Sequence, residues 1–569
     1  MKRFLPPGLF ALLLLAFLPG CSTQHYRRSA DKEAYGVIKQ KTPLVKNMDE
    51  HFTVEQTNAL SLDGLPVATK VEEFLGPDGE AERGAHVISL ETAMDIAVKH
   101  SRTYQNRKED LYEQALGLTL DRHQFAPIFS ASANGTYKTT TLQAVGAELD
   151  PNNPTNLIPV FNLVEEQSLS GDGRVAVSKL LGFGTRLTAA FTTDFFRFLT
   201  GDPRTMTSSQ LGATLVQPLW RGAGYRVTLE NLTQSERNLL YALRDFTLFR
   251  KRFSVDVGTA YYQALGSRDA VRNGFTKLQS ARLNAERTRS LAEEGRATKA
   301  DLGRLEQQLL SAENEWINAI RNYKQSLDNF KIQLGVSTDA SIVLDDADLA
   351  QLKIFHPEIG VDDSIRVALA TRLDYQNSRE QYEDAGRKID VAADALKAQV
   401  DLIASAGIDS EREKATRFAV PDIDRYHWNA GLGLDLPLDR KAQRNAYRRS
   451  LIAYEQSRRS FELRADEIKL QVRDSWRALD QAKRNFEISE IGVKLAERRV
   501  EEQNLLAELG RAKAQDQVDA QNDLVNSKNQ RTQALVNHTI ARLQFWNNLG
   551  ILYIKDNGQW EEMTNAKAQ

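Results

Sequence analysis

The sequence predicts a mainly helical, internally duplicated fold in which long coiled-coil helical hairpins alternate with groups of β-strands. Residues 291–301 and 506–516 are nearly the same and lie 215 positions apart, which indicates a duplication. A second match, between residues 104–106 and 375–377, has an offset of 271. Patterns of helical period run for tens of residues without proline after each group of strand patterns. The repeated unit is therefore a long arm and not a short motif.

The start of the chain predicts a signal peptide at residues 1–20. A basic start precedes an apolar run at residues 9–18, which is too short to span a bilayer. Cys21 is the only cysteine, and its position resembles the lipobox of bacterial lipoproteins. We therefore expect Cys21 to carry lipid, palmitate included, and Ser22 to direct the lipoprotein to an outer membrane. The alternative is an ordinary cleaved signal with an incidental cysteine.

Residues 21–88 are expected to form a lipid-anchored N-terminal segment, because proline and glycine punctuate them without sustained periodicity. The first repeat is expected at residues 89–345. It starts with a helix capped by Ser89, continues with strands between about residues 128 and 219, and ends with long helices at residues 226–335.

The second repeat is expected at residues 346–554, followed by a C-terminal tail at 555–569. It again starts with a helix, has strands between about residues 398 and 438, and ends with long helices at residues 441–550. Its clearest strand pattern lies at residues 432–438, where leucine occupies every second position.

The long helical patterns predict coiled-coil packing, because their apolar positions step by alternating fours and threes. In the first repeat these positions are Leu239, Leu243, Phe246, Phe253, Val257, Ala260 and Ala264, with Arg250 at one of them. In the second repeat they include Ile468, Val472, Leu479, Ala482, Val493 and Ala496. A period of 3.5 residues is typical of left-handed coiled coils. From the helices alone, a soluble coiled-coil rod fits equally well.

The strand patterns favour a membrane β-barrel. After Cys21 no run of 18 apolar residues occurs, whereas alternating strands of about ten residues fit a closed barrel. Four to six strands per chain are too few to close around a pore, so the chain must oligomerise. Three copies of four strands would give twelve. The first repeat also holds an extra hairpin, around residues 179–184 and 191–198, which either enlarges this barrel or caps it outside the cell.

Composition argues against nucleic-acid binding and against catalysis. The 74 basic and 76 acidic residues give a net charge of -2, so the chain has no basic surface for nucleic acid. Its eight histidines are scattered without metal-ligand spacing, no glycine-rich phosphate loop precedes a helix, and no nucleophile lies beside a base. We expect no enzyme activity, no metal site and no cofactor.

Residues 88–554 resemble the TolC-like outer-membrane factors, in their lipoprotein form. The resemblance rests on strands between long helices, on residues 216–222 (VQPLWRG) and 436–438 (LPL), on the Leu-Gly pairs at 334–335 and 549–550, and on paired Gly-x-x-x-x-x-Asp tips. It implies a homotrimer in which a β-barrel in the outer membrane continues into a periplasmic α-barrel. It also implies docking onto a periplasmic adaptor protein and an inner-membrane pump.

The function that this resemblance implies is that of a passive outer-membrane conduit in a tripartite export system for small molecules. Two alternatives stay open: a type I protein secretion duct, and a lipid-anchored periplasmic coiled-coil scaffold without a pore.

The hairpin tips are the candidate functional residues. Gly295 and Gly510 can adopt the left-handed conformation that ends a helix. With Arg296 and Arg511 they would form the adaptor-docking tips, or purely structural turns.

Three carboxylates follow these tips. By the resemblance, Asp301, Asp516 and Asp519 face the pore near its periplasmic entrance and form rings of negative charge. The alternative is that they complement the dipoles of the helices that they begin.

Overall fold

The computed structural model describes residues 22–55, 61–151, 153–199, 205–411, 420–509, 511 and 513–561. The predicted signal peptide, Cys21, Gly510 and residues 562–569 of the predicted tail lie outside these ranges. The chain divides into two compact units. The helical unit is formed within Met1–Ala115, Leu239–Glu380 and Arg459–Gln569, and the sheet unit within Leu116–Asn238 and Gln381–Arg458.

Helices make up most of the described residues, which confirms the predicted mainly helical class. They are α1 Thr23–Lys41, α2 Gly79–Glu82, α3 Leu90–His100, α4 Arg102–His123, α5 Tyr225–Thr228, α6 Glu230–Glu293, α7 Lys299–Leu334, α8 Asp346–Ala350, α9 Val361–Thr371, α10 Leu373–Asp394, α11 Lys441–Glu508 and α12 Ala514–Leu549. Among the described residues, no helix combines the length and the apolar character needed to cross a membrane.

Equal helix lengths recur in the two halves of the chain. The helices α3 and α9 have 11 residues each, α4 and α10 have 22, and α7 and α12 have 36. The longest pair, α6 and α11, has 64 and 68 residues. Both α7 and α12 end at a glycine in the left-handed conformation, with φ of 81° at Gly335 and 77° at Gly550. The two halves therefore contain these four helices in the same order and at equal or nearly equal lengths.

The predicted coiled-coil positions are buried in the helical unit. Leu239, Leu243 and Val257 of α6 have no exposed surface, and the same is true of Ile468 and Val472 of α11. The prediction of a helical seam with this spacing is confirmed at these positions. Burial of such side chains contributes about 1.5–3 kcal/mol each.

Arg250 occupies one of these buried positions, where its guanidinium donates hydrogen bonds to backbone carbonyls that are distant in sequence. Its Nη1 donates to the carbonyl of Asn47 at 2.9 Å, and its Nη2 donates to the carbonyl of Lys555 at 3.4 Å. The Asn47 side chain also exchanges hydrogen bonds of 2.7 and 2.9 Å with the backbone of Ile554. One arginine thus fastens the N-terminal and C-terminal segments to α6.

The N-terminal segment packs along the helical unit. The Tyr112 hydroxyl of α4 donates to Asp31 of α1 at 2.5 Å. Further along, Phe52 is buried edge-to-face against Phe246, with ring centroids 5.5 Å apart. Residues 22–55 therefore lie against α4 and α6, and we call them the strap.

Strands occur in both units. In the helical unit, β1 His86–Ile88 pairs in parallel with β6 Ile342–Leu344, and β9 Tyr553–Ile554 pairs antiparallel with β10 Trp560–Glu561. In the sheet unit, six antiparallel strands lie side by side in the order β2 Ile128–Asp150, β3 Asn153–Leu180, β4 Arg186–Phe198, β5 Thr205–Pro218, β7 Gln399–Asp409 and β8 Tyr426–Asp435.

Several strand bounds differ from those that alternation predicts. Alternation at the start of the strand region extends only to about Thr139, but β2 continues to Asp150 and pairs with β3 up to Asn153. The last strand was expected at residues 432–438, whereas β8 spans Tyr426–Asp435. Pro437 has no backbone N–H to give to a neighbouring strand, which explains why β8 ends before it.

Candidate functional site: helical tips and a two-faced sheet

The first hairpin tip is a tight turn between α6 and α7. Gly295 has a φ of 72°, in the left-handed region that residues other than glycine rarely adopt. The backbone N–H groups of Arg296 and Ala297 donate to the carbonyl of Leu291 at 2.8 and 3.1 Å. This arrangement satisfies the last carbonyls of α6 and turns the chain toward α7 within five residues.

Asp301 lies in the first turn of the helix that leaves this tip, and Thr298 is the N-cap of that helix. The Thr298 hydroxyl accepts a hydrogen bond from the Asp301 backbone N–H at 3.1 Å and donates one to its carboxylate at 2.6 Å. The first bond is the N-cap bond of α7, and the second joins the two side chains. Asp301 thus lies in the helix turn that the dipole alternative requires, and both that role and the pore role stay predictions.

The described residues of the second tip, between α11 and α12, repeat one hydrogen bond of this turn. The Arg511 backbone N–H donates to the carbonyl of Leu506 at 2.8 Å, which matches the bond from Arg296 to Leu291. Gly510 lies outside the described residues. The neighbouring Leu509 exposes 68% of its surface. The two predicted tips therefore share one backbone bonding pattern.

Asp516 and Asp519 lie in the first turns of α12, three residues apart, and hence on one face of that helix. Asp516 is exposed. The carboxylate of Asp519 is half-buried and accepts a hydrogen bond from the Gln515 side chain at 2.9 Å. The pore role of this pair also stays a prediction.

The two predicted docking arginines are exposed. Arg296 lies 3.5 Å from the carboxylate of Glu294, measured from Nη1 to Oε2, with both side chains mostly exposed. Arg511 is exposed as well. A partner could therefore contact either guanidinium without rearrangement of the core.

Polar contacts hold the two hairpins side by side near their tips. Arg287 of α6 donates to the carbonyl of Ala507 in α11 at 3.3 Å. Gln308 of α7 donates to Asn522 of α12 at 3.0 Å, between side-chain atoms. The two tips therefore form one composite surface within the helical unit.

The sheet unit has a second feature of functional interest, which is that its two faces differ in polarity. Directly paired residues of adjacent strands point to the same face. One such row contains only apolar residues across all six strands: Phe129, Val177, Ala189, Ala213, Ala406 and Trp428. The next row on this face is also apolar: Ala131, Val175, Phe191, Leu211, Ile408 and Tyr426.

The opposite face is polar. The row that lies between the two apolar rows contains small residues and His427: Ser130, Ala176, Ala190, Gly212, Gly407 and His427. The row after it contains Ser132, Arg174, Thr192, Gln210 and Asp409. The sheet thus separates an apolar face from a polar one over its full width.

The apolar face is exposed in the single chain. Phe129 exposes 78% of its surface, Trp428 72% and Leu432 70%. Contiguous exposure of this kind marks an interaction surface. Sequence alternation identified β8 and the predicted first strand, but it left the place of the extra hairpin open.

The part of the chain that the structure describes contains no cluster of three or more histidine, cysteine, aspartate or glutamate residues arranged to hold a metal ion.

Solved outer-membrane channels share this architecture. The chain superposes on CusC with a TM-score of 0.58, 11% identity, and coverage of 81% of this chain and 92% of that one. For the outer-membrane channel OprN the TM-score is 0.56, the identity 12%, and the coverage 90% and 97%. For the Campylobacter jejuni outer-membrane channel CmeC the values are 0.56, 15%, 84% and 87%.

No protein-family model matches the chain, and no curated protein matches it by sequence. The likeness is therefore one of fold, at identities too low to show more. The fold is that of the TolC-like outer-membrane channels, and the resemblance drawn from the sequence motifs is confirmed at this level.

Proposed function

We propose that this chain is the outer-membrane subunit of a tripartite export system and forms a passive conduit from the periplasm to the exterior. The observation that carries the proposal is the six-stranded sheet with one apolar and one polar face. A bilayer would cover the apolar face, and an aqueous lumen would hydrate the polar face.

A closed trimer satisfies the sheet's backbone. Among the described strands, β2 and β8 each pair on one side only. Lipid offers no hydrogen bonds, so these edges need partners inside the membrane. Pairing β2 of one copy with β8 of the next supplies them, and three copies close the ring. Ring closure therefore gives a physical reason for oligomerisation, and the resemblance implies that the number of copies is three.

The helical hairpins would form the periplasmic part of the conduit. The composite surface of the two tips suits a periplasmic adaptor, because it joins exposed Arg296 and Arg511 to the exposed apolar side chain of Leu509. An inner-membrane pump would supply the energy. Asp301, Asp516 and Asp519 would form acidic rings at the entrance and favour cations. Lipid on Cys21 would anchor the strap to the outer membrane.

We assign small-molecule efflux as the cargo class, with type I protein secretion as the alternative. The division into a first repeat at 89–345 and a second at 346–554 belongs to the same proposal, and the equal helix lengths support it.

Conductance of the purified protein in planar bilayers tests the proposal. We expect discrete, cation-selective channels, and we expect Asp516→Asn with Asp519→Asn to reduce the preference for cations. Asp362→Asn is the matched control, because this exposed carboxylate lies on α9, away from the tips in sequence. Monomers in mild detergent that never conduct would favour the pore-free scaffold.

A further inference from the structure

The hairpin β3–β4 has no counterpart in the second half of the chain, where only β7 and β8 join the sheet. We propose that this hairpin is part of the membrane wall, so that each subunit contributes six wall strands and the trimer closes as an eighteen-stranded barrel. This inference rests on the proposed function.

Hydrogen bonding places the hairpin inside the sheet. Strand β3 pairs with β4 without interruption from Ser168 to Leu180. Strand β4 pairs in turn with β5 from Arg186 to Arg197. Both strands of the hairpin thus have a bonded neighbour on each side, and β2 and β5 are joined through them. A cap folded over the barrel mouth would instead leave β2 and β5 free to pair with each other.

At the levels of Val175 and Val177, the side chains of the hairpin follow the polarity of the rest of the sheet. Val175 of β3 and Phe191 of β4 lie in one apolar row with Leu211 of β5. One residue away, Arg174 and Thr192 lie in a polar row on the other face. An extracellular cap has no reason to repeat the polarity of the wall strands at the same level, whereas a lipid-facing wall requires it.

The lengths of the paired segments fit a bilayer. Strands β7 and β8 have 11 and 10 residues, and a tilted membrane strand needs about 9–11. The apolar rows of β3 and β4 coincide with this level because they are linked to β7 and β8 through β5. The partner of this face is therefore the hydrocarbon of the membrane, over all six strands.

The extra strands widen the barrel. With strands about 4.8 Å apart and tilted by about 40°, each strand adds about 6.3 Å to the circumference. Eighteen strands then give a backbone diameter of about 36 Å, against about 24 Å for twelve. The cross-section of the barrel roughly doubles, so the outer exit of this channel admits wider cargo than a twelve-stranded one.

Site-specific quenching in liposomes tests the placement of the hairpin. Single cysteines carrying a fluorophore are introduced as Val175→Cys and Arg174→Cys in β3, with Leu432→Cys and Asn429→Cys in β8 as benchmarks. We expect brominated acyl chains to quench the probes at 175 and 432 several-fold more than those at 174 and 429. Aqueous iodide should show the reverse order.

Two outcomes separate the two levels of the proposal. If iodide quenches position 175 as strongly as position 174 while 432 stays lipid-facing, the hairpin is not wall and this inference fails alone. If position 432 is not lipid-facing either, the proposed channel fails with it. Electron microscopy of the trimer gives an independent answer, since a ring of eighteen strands supports the inference and a ring of twelve overturns it.

Discussion

At the residue scale, His538 is an ionisable group buried within the helical unit. It lies on α12, is fully buried, and has no hydrogen-bond partner on either ring nitrogen. Its ring centroid is 6.3 Å from that of His356. Burial, and then the charges of Arg542, His356 and Lys483, lower the pKa of His538 to about 4. A positive charge at this position is therefore strongly disfavoured.

This burial predicts that acid destabilises the helical unit. The folded-state pKa lies below the unfolded value of about 6.5, so the contribution is fully present above pH 6.5 and is lost as the pH falls toward about 4. The loss is at most about 3 kcal/mol. We expect His538→Leu to reduce the fall in the thermal unfolding midpoint between about pH 7.5 and about pH 5.

The control for this measurement is His25→Gln, which changes an exposed histidine of α1. It should leave the pH profile of unfolding unchanged. Burial, and then the charge of Lys483, lower the pKa of the neighbouring His356 against the opposing effect of Asp480 and Glu487, so part of the acid sensitivity remains in His538→Leu. Identical profiles for the wild type and His538→Leu would contradict the assignment.

At the element scale, the two halves of the chain repeat one junction. Gly335 ends α7 against the break between α3 and α4, and Gly550 ends α12 against the break between α9 and α10. A Cβ atom on Gly335 would lie 2.1 Å from the carbonyl oxygen of His100. On Gly550 the nearest atom would be the Thr371 hydroxyl, at 3.1 Å. The same motif is thus packed more tightly in the first copy.

Alanine at these two glycines should therefore have unequal effects. Gly335→Ala combines a left-handed backbone with a clash against backbone, and we expect it to cost about 3–5 kcal/mol in the free energy of unfolding. Gly550→Ala should cost about 1–2 kcal/mol, because its nearest contacts, at 3.1 to 3.3 Å, are relieved by a shift of a few tenths of an ångström. Denaturant unfolding of the purified protein measures both values.

Gly303→Ala is the control in the same helix as Gly335. It lies inside α7 with no atom within 4 Å of its added Cβ, so it should stabilise the helix by about 0.5–1 kcal/mol. Equal costs for Gly335→Ala and Gly550→Ala would show that the difference in packing between the two junctions has no energetic consequence.

The elements differ in how well the sequence predicts them. The long helices follow from their heptad spacing, because a buried seam imposes that spacing on the residues themselves. The ends of β2 and β3 nearest residues 150–154 do not follow from a regular spacing, because Pro159 and the turn residues near 150–154 interrupt the alternation. Pairing with a neighbouring strand holds these residues extended, and a single-sequence pattern contains no record of that neighbour.

At the scale of the whole molecule, sequence reasoning predicted the fold. It left open how many strands each chain contributes to the barrel. The duplication and the order of strands and helices are visible as spacing between motifs. The position of β3–β4 is decided by pairing with β2 and β5, such as that of Val177 with Phe129 and of Ala189 with Ala213, and the motif spacing contains no record of that pairing. The candidate tips were predicted from glycine and aspartate spacing, but the Thr298 N-cap of α7 and its bond to the Asp301 carboxylate appear only in the structure.

The two-faced sheet makes a final prediction about assembly. Leu432→Arg places a charge on the apolar face of β8, and Asn429→Arg places the same charge on the polar face of that strand. Arginine facing lipid near the middle of the bilayer costs about 2–4 kcal/mol per copy, and a trimer bears that cost three times. Arginine facing the lumen stays hydrated.

We therefore expect Leu432→Arg to abolish heat-sensitive trimers in outer-membrane fractions, whereas Asn429→Arg should assemble and conduct with a weaker preference for cations. Trimers of Leu432→Arg as abundant as those of Asn429→Arg would mean that lipid does not cover this face.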